Sequence, residues 1–128
     1  MSLIRRATPA AGLTLLLALG LAACGGAASG PAGSVPVVLI SAHEYAFDPS
    51  TVEIETGPVR FEVTNTGTVE HELEIIDAGG TVVDEVEGLV PGLTRELTVD
   101  LEPGTYTYVC RIAGHEEAGM KGTLTVAG

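Results

Sequence analysis

From Pro36 onward the chain is a succession of short strand-like runs cut by turn residues, and this pattern limits its fold more than any other feature. The run at 37–41 is β-branched and apolar. Those at 51–55, 59–63, 69–75, 94–101, 105–110 and 122–126 alternate apolar with polar residues, the period of a strand with one buried face. Turn signals fall between them: Asp48-Pro49, Gly57-Pro58, Asn65-Thr66-Gly67, Ala78-Gly79-Gly80, Pro91-Gly92 and Pro103-Gly104. No stretch carries a convincing helical period. Seven or eight short strands at this spacing predict an all-β, antiparallel β-sandwich. Besides Phe47 and Phe61, only three tyrosines supply large rings, so the core rests on Val, Leu and Ile. That is enough for one domain, over 36–128.

The first part of the chain reads differently. Residues 1–10 carry Arg5 and Arg6, and 11–23 form an almost unbroken run of Leu, Ala and Gly ending at Leu21-Ala22-Ala23-Cys24. A basic start, a short apolar run and small residues before a cut site predict a signal peptide over 1–23. The run is shorter than the ~20 residues of a membrane span. Leu-Ala-Ala-Cys resembles the lipobox of bacterial lipoproteins, which implies that Cys24 is lipidated and begins the mature chain. Residues 24–35 are then a Gly, Ala and Ser-rich tether, spanning about 18 Å root-mean-square. The expected location is extracytoplasmic, on the periplasmic or cell-surface side, with the membrane as a partner through the lipid.

All 17 acidic residues follow Cys24, against four basic ones (Arg60, Arg95, Arg111 and Lys121), so the mature chain carries a formal −13. That charge excludes nucleic acid, whose phosphates need a basic surface. It suits a basic partner.

With Cys24 assigned to lipidation, Cys110 is a lone thiol in an exported chain, and such a thiol is buried, reactive or bound to metal. It opens the segment Cys110-Arg-Ile-Ala-Gly-His115-Glu-Glu-Ala-Gly-Met120, in which thiol, imidazole and thioether recur every five residues. Gly114 and Gly119 precede His115 and Met120, where a loop folding back needs the least strain. A fourth donor is expected from His71, which shares the core-facing side of its strand with Val69, Leu73 and Ile75. An unpaired imidazole is costly there, and a metal resolves the cost. Two imidazoles, a thiolate and a weak thioether form the blue-copper electron-transfer set, whereas zinc rarely uses a thioether. Each residue alone has an ordinary reading: Cys110 as a buried thiol, His71 as a satisfied core histidine, Met120 as a gap filler. Their joint spacing favours ligation. His43 reads as a surface residue, Glu70, Glu72 and Glu74 as a solvated strand face, and Tyr106 and Tyr108 as core.

These segments resemble the cupredoxin family of type 1 copper proteins. The resemblance runs from about Val37 to Val126 and rests on Asn65-Thr-Gly-Thr-Val-Glu-His71, Pro103-Gly-Thr-Tyr-Thr-Tyr-Val-Cys110 and Gly114-His115-Glu-Glu-Ala-Gly-Met120-Lys-Gly122, with Glu44-Tyr-Ala-Phe-Asp-Pro49 similar to the opening strand. The Cys, His and Met spacing is similar to that of rusticyanin. The family implies a Greek-key sandwich and a ligand, His115, whose ring edge reaches solvent. Glu72 stands where many members have Asn or Ser, and Val109 where plastocyanins have tyrosine.

The expectation is a non-enzymatic electron carrier with one copper, held by His71, Cys110, His115 and Met120. A monomer is expected, with a redox protein bearing a basic surface docking over His115 beside Ile112, Ala113 and Gly114. Two other readings stay open: a copper-trafficking lipoprotein delivering copper to an extracytoplasmic oxidase, and a metal-free Ig-like accessory lipoprotein.

Overall fold

The computed structural model describes residues 33–128. Cys24, the signal segment and most of the tether lie outside the described residues. Among the described residues nine strands run in order: β1 (Val37–His43), β2 (Ala46–Asp48), β3 (Thr51–Glu55), β4 (Gly57–Asn65), β5 (His71–Ile76), β6 (Val82–Leu89), β7 (Thr94–Leu101), β8 (Gly104–Val109) and β9 (Lys121–Ala127). They form two sheets, β2-β1-β4-β7 and β3-β9-β8-β5-β6. The expected all-β sandwich is the architecture present.

Alternation is what faces the sheets together. In β4, Val59, Phe61 and Val63 are buried while Arg60 and Glu62 turn outward, and Phe61 lies opposite Val38 on one side and Leu97 on the other. Leu73 and Ile75 of β5, Tyr108 of β8 and Leu124 of β9 meet them from the second sheet, all with no exposed surface. Burying a Leu or Ile side chain fully contributes roughly 1.5–3 kcal/mol. The small aliphatic core is therefore sufficient without tryptophan.

Two pairings depart from the antiparallel expectation: β1 lies parallel to β4, and β3 parallel to β9. Parallel neighbours need a crossover. Between β1 and β4 the crossover is β2 and β3, which leave one sheet for the other. Two strands exceed the sequence expectation. β2 is only three residues long, and β6 is an edge strand in which only Val86 and Leu89 are buried. In β6 the register slips between the pairs His71–Leu89 and Leu73–Val86, with Gly88 at φ +61°, so its apolar residues do not alternate. Val69, assigned from sequence to the inward face, lies before β5 and is 38% exposed.

Candidate metal centre

The segment between β8 and β9 closes on itself at one end of the sandwich. The Cys110 N–H donates to the Met120 carbonyl at 3.1 Å, extending the β8–β9 ladder by one step. Within the loop, His115 N donates to Ile112 O at 2.9 Å and Met120 N to His115 O at 3.0 Å. Gly114 and Gly119 adopt φ of +87° and +104°, a region that side chains strain to enter. From within the loop Arg111 reaches Glu74 of β5 at 3.3 Å and the loop's own Glu116 at 3.5 Å.

His71 arrives from the other side as the first residue of β5. Its placement depends on Asn65, a buried residue that the sequence marked as a turn and as the start of a cupredoxin-like motif. The Asn65 Nδ2 donates to Val69 O at 2.7 Å and Leu89 O at 2.6 Å, and its Oδ1 accepts from Gly67 N at 2.8 Å. One amide thus satisfies three backbone groups and fixes the loop that delivers His71.

The donors converge. His71 Nδ1 lies 3.3 Å from His115 Nδ1, which lies 3.3 Å from Cys110 Sγ. The three ligand atoms all fall within 4.8 Å of one another. His71, Cys110 and Met120 have no exposed surface, and His115 keeps 8%. Three buried donors facing one point can share few protons among themselves, and a soft cation satisfies all three at once. Thiolate with thioether selects copper.

The cupredoxin-like domain family matches residues 13–126. The chain belongs to that family. Its cofactor is one type 1 copper, and His71, Cys110, His115 and Met120 are arranged as the site for it. Among relatives, the iron uptake system component EfeO of Yersinia pseudotuberculosis serotype I (strain IP32953) is 35% identical over 101 residues, covering 79% of this chain and 26% of that one. The chain thus spans about a quarter of the length of the curated relatives it matches. Among solved structures, reduced auracyanin of Roseiflexus castenholzii superposes with a TM-score of 0.68 at 24% identity, covering 75% of this chain and 100% of that one. Auracyanin A of Chloroflexus aurantiacus, a "blue" copper protein, gives 0.67 at 21%, covering 73% and 99%. Both likenesses show the cupredoxin fold.

Burial dominates the electrostatics of this cupredoxin's donors. Burial pushes the Cys110 thiol up, while backbone N–H groups of Glu72 and Ile112 hydrogen-bonded to the sulfur pull the other way. The residue after His71 thus reaches the sulfur through its backbone. Burial lowers His71, and the charge of neighbouring His115 lowers it further. Both effects favour the neutral imidazole, the form that binds metal.

Three neighbours are not assigned to the site from sequence. Glu44, in the β1–β2 turn, accepts hydrogen bonds on Oε1 from the backbone N–H of Thr68, from Val69 N at 3.0 Å and from Thr68 Oγ1 at 3.2 Å. Those bonds, from the Thr68 backbone above all, pull its carboxyl down to about 2. Its Oε1 lies 3.8 Å from His71 Nε2. Tyr45 sets its ring edge against His115, centroids 4.9 Å apart, and stays 44% exposed. His43 ends β1 half-buried rather than on the open surface, near enough that its charge also lowers His71. The sequence signal for Glu44 and Tyr45 is the segment from Glu44 to Pro49, similar to a cupredoxin opening strand; His43 has none.

Proposed function

We propose that this cupredoxin carries single electrons outside the cytoplasmic membrane and catalyses no reaction of its own. The observation that supports it best is the gradient of burial across the donor set: three donors wholly enclosed and one, His115, at 8% exposure. Copper, when held there, supplies a one-electron couple. The protein's part is to exclude water and hold its donors so that neither oxidation state needs them to move. Cys110 and Met120 are tied by their shared backbone bond, and His71 is fixed through Asn65. His115 brings the site to the surface beside Tyr45 and Ala113, the face on which a redox partner docks. Acidic charge in excess steers a basic partner there, and Cys24, lipidated, keeps the domain at the membrane.

The visible spectrum of the Cu(II)-loaded chain tests the site: strong blue colour from thiolate-to-copper charge transfer is expected, and a colourless adduct with Cys110 reduced refutes it. Electron transfer to a basic cytochrome should slow as salt shortens the Debye length to about 8 Å at 0.15 M. Salt-independent rates argue against the docking face. Membrane fractionation of Cys24→Ala tests the anchor, since an unchanged membrane fraction counts against lipidation.

A second reading, favoured by relatives named as an iron uptake system component, is metal handling, with copper itself passed on. A carrier keeps its copper through repeated reduction and reoxidation. Release on reduction supports the second reading.

A further inference from the structure

We propose that Glu44 is a positioning residue for the metal centre: its carboxylate stands behind the Nε2–H of His71, fixing which ring nitrogen faces the metal and adding negative charge behind that ligand. The inference rests on the copper reading of His71.

The geometry carries it in three steps. His71 turns Nδ1 toward His115 and Cys110, so the ring's proton must sit on Nε2 when Nδ1 binds a cation. Nε2 is buried and has no hydrogen-bond partner, a costly state for a polar atom. Glu44 Oε1 lies 3.8 Å from it, too long for a hydrogen bond but within ion-pair range. Histidines that hold metals commonly direct their second nitrogen at a carboxylate or carbonyl, which fixes the tautomer and strengthens the donor.

The carboxylate is also held in place. The backbone N–H groups of Thr68 and Val69 and the Thr68 hydroxyl all donate to the same oxygen that faces His71. Gly67 leaves the space this needs, because a Cβ there would lie 2.8 Å from Glu44 Cδ and 2.9 Å from Oε2. Residues 66–70 therefore do two things. They carry the chain into His71, and they clamp the charge that stands behind it.

A purely mechanical staple between the β1–β2 turn and the β4–β5 loop would use the same hydrogen bonds, so the test must separate charge from tethering. Glu44→Gln retains an oxygen that the Thr68 and Val69 amides can use and removes the charge. On the copper-loaded chain this variant should lose Cu(II) affinity roughly tenfold. With Cu(I) affinity unchanged, a tenfold loss raises the reduction potential by about 59 mV for one electron. Gly67→Ala keeps the charge but pushes it away from His71, and should shift the potential in the same direction. Nitrogen-resolved NMR of the Cu(I) form should show a His71 Nε2–H that exchanges slowly in the parent and faster in both variants. In Glu44→Gln, which keeps the amide hydrogen bonds, a staple would not move that signal. If the parent is blue but neither variant changes potential, affinity or Nε2–H exchange, the inference is overturned and the copper site stands. If the parent binds Cu(II) without colour, the copper reading fails and the inference falls with it. Should Glu44→Gln fail to fold, an unchanged potential in Gly67→Ala overturns the inference.

Discussion

Two segments meet at the same end of this sandwich and reach it by opposite routes. The loop at 110–120 carries three of the four donors within eleven consecutive residues, and its geometry is closed by its own backbone bonds. The β1–β2 turn brings Glu44 and Tyr45 against His71 and His115, residues far along the chain that it meets only because β1 pairs with β4. The first segment contains the chemistry and the second surrounds it. Donor identity should therefore be decided in the loop, while the turn should adjust a site that exists without it. Tyr108 links the two: its hydroxyl donates to Pro49 O at 2.6 Å, and its ring packs edge-on against Phe47 at 5.4 Å, joining the strand that leads to Cys110 with the strand that follows the turn.

The largest effect is expected from Cys110→Ser, which should abolish the blue absorption altogether, read by visible spectroscopy of the Cu(II) form. Retained colour would mean that the loop does not define the site. Gly122→Ala comes next. A Cβ there would collide with the ring and hydroxyl of Tyr108, and overpacking of this kind should cost about 3 kcal/mol in denaturant unfolding. Because Tyr108 joins both segments, the absorption band should shift as well.

Tyr108→Phe should be milder, near ~1 kcal/mol for the lost hydrogen bond, and it carries a pH signature. Burial first, then Asp48, pushes the Tyr108 phenol up to about 12, against ~10 in an unfolded chain. The unfolded state thus loses its proton first. Stability from this group is complete below pH ~10 and declines as pH rises toward 12, by at most about 2–3 kcal/mol. Unfolding measured across that window should show the slope in the parent and lack it in Tyr108→Phe.

Met120→Gln should keep the colour and lower the potential in voltammetry, because a harder oxygen favours Cu(II). An unmoved potential would take Met120 out of the donor set. The smallest effect belongs to Tyr45→Ala: unchanged colour, and stability within about 1 kcal/mol, the scale of one aromatic edge contact. If it bleached the protein, the turn would be part of the site itself and the contrast between the segments would collapse.

Much of this cupredoxin is legible in its amino-acid sequence. Alternation at 59–63 or 122–126 is a local property with a period of two, and it identifies buried faces wherever the strands end up. The five-residue steps from Cys110 to His115 to Met120 are equally local, since a loop that short must bring its donors together. His71 is readable as inward-facing for the same reason. β6 is not readable, because a bulge at Gly88 breaks its alternation. The parallel pairs β1–β4 and β3–β9, the amide of Asn65 locking three backbone groups, and Glu44 standing behind His71 are not readable either. These depend on which strand lies beside which, and that is settled by packing two twisted sheets over one core rather than by any window of sequence. A donor set carried by one loop is fixed by the chain's own spacing. The groups that position and tune it come from distant segments, and only the tertiary fold decides which of them arrive.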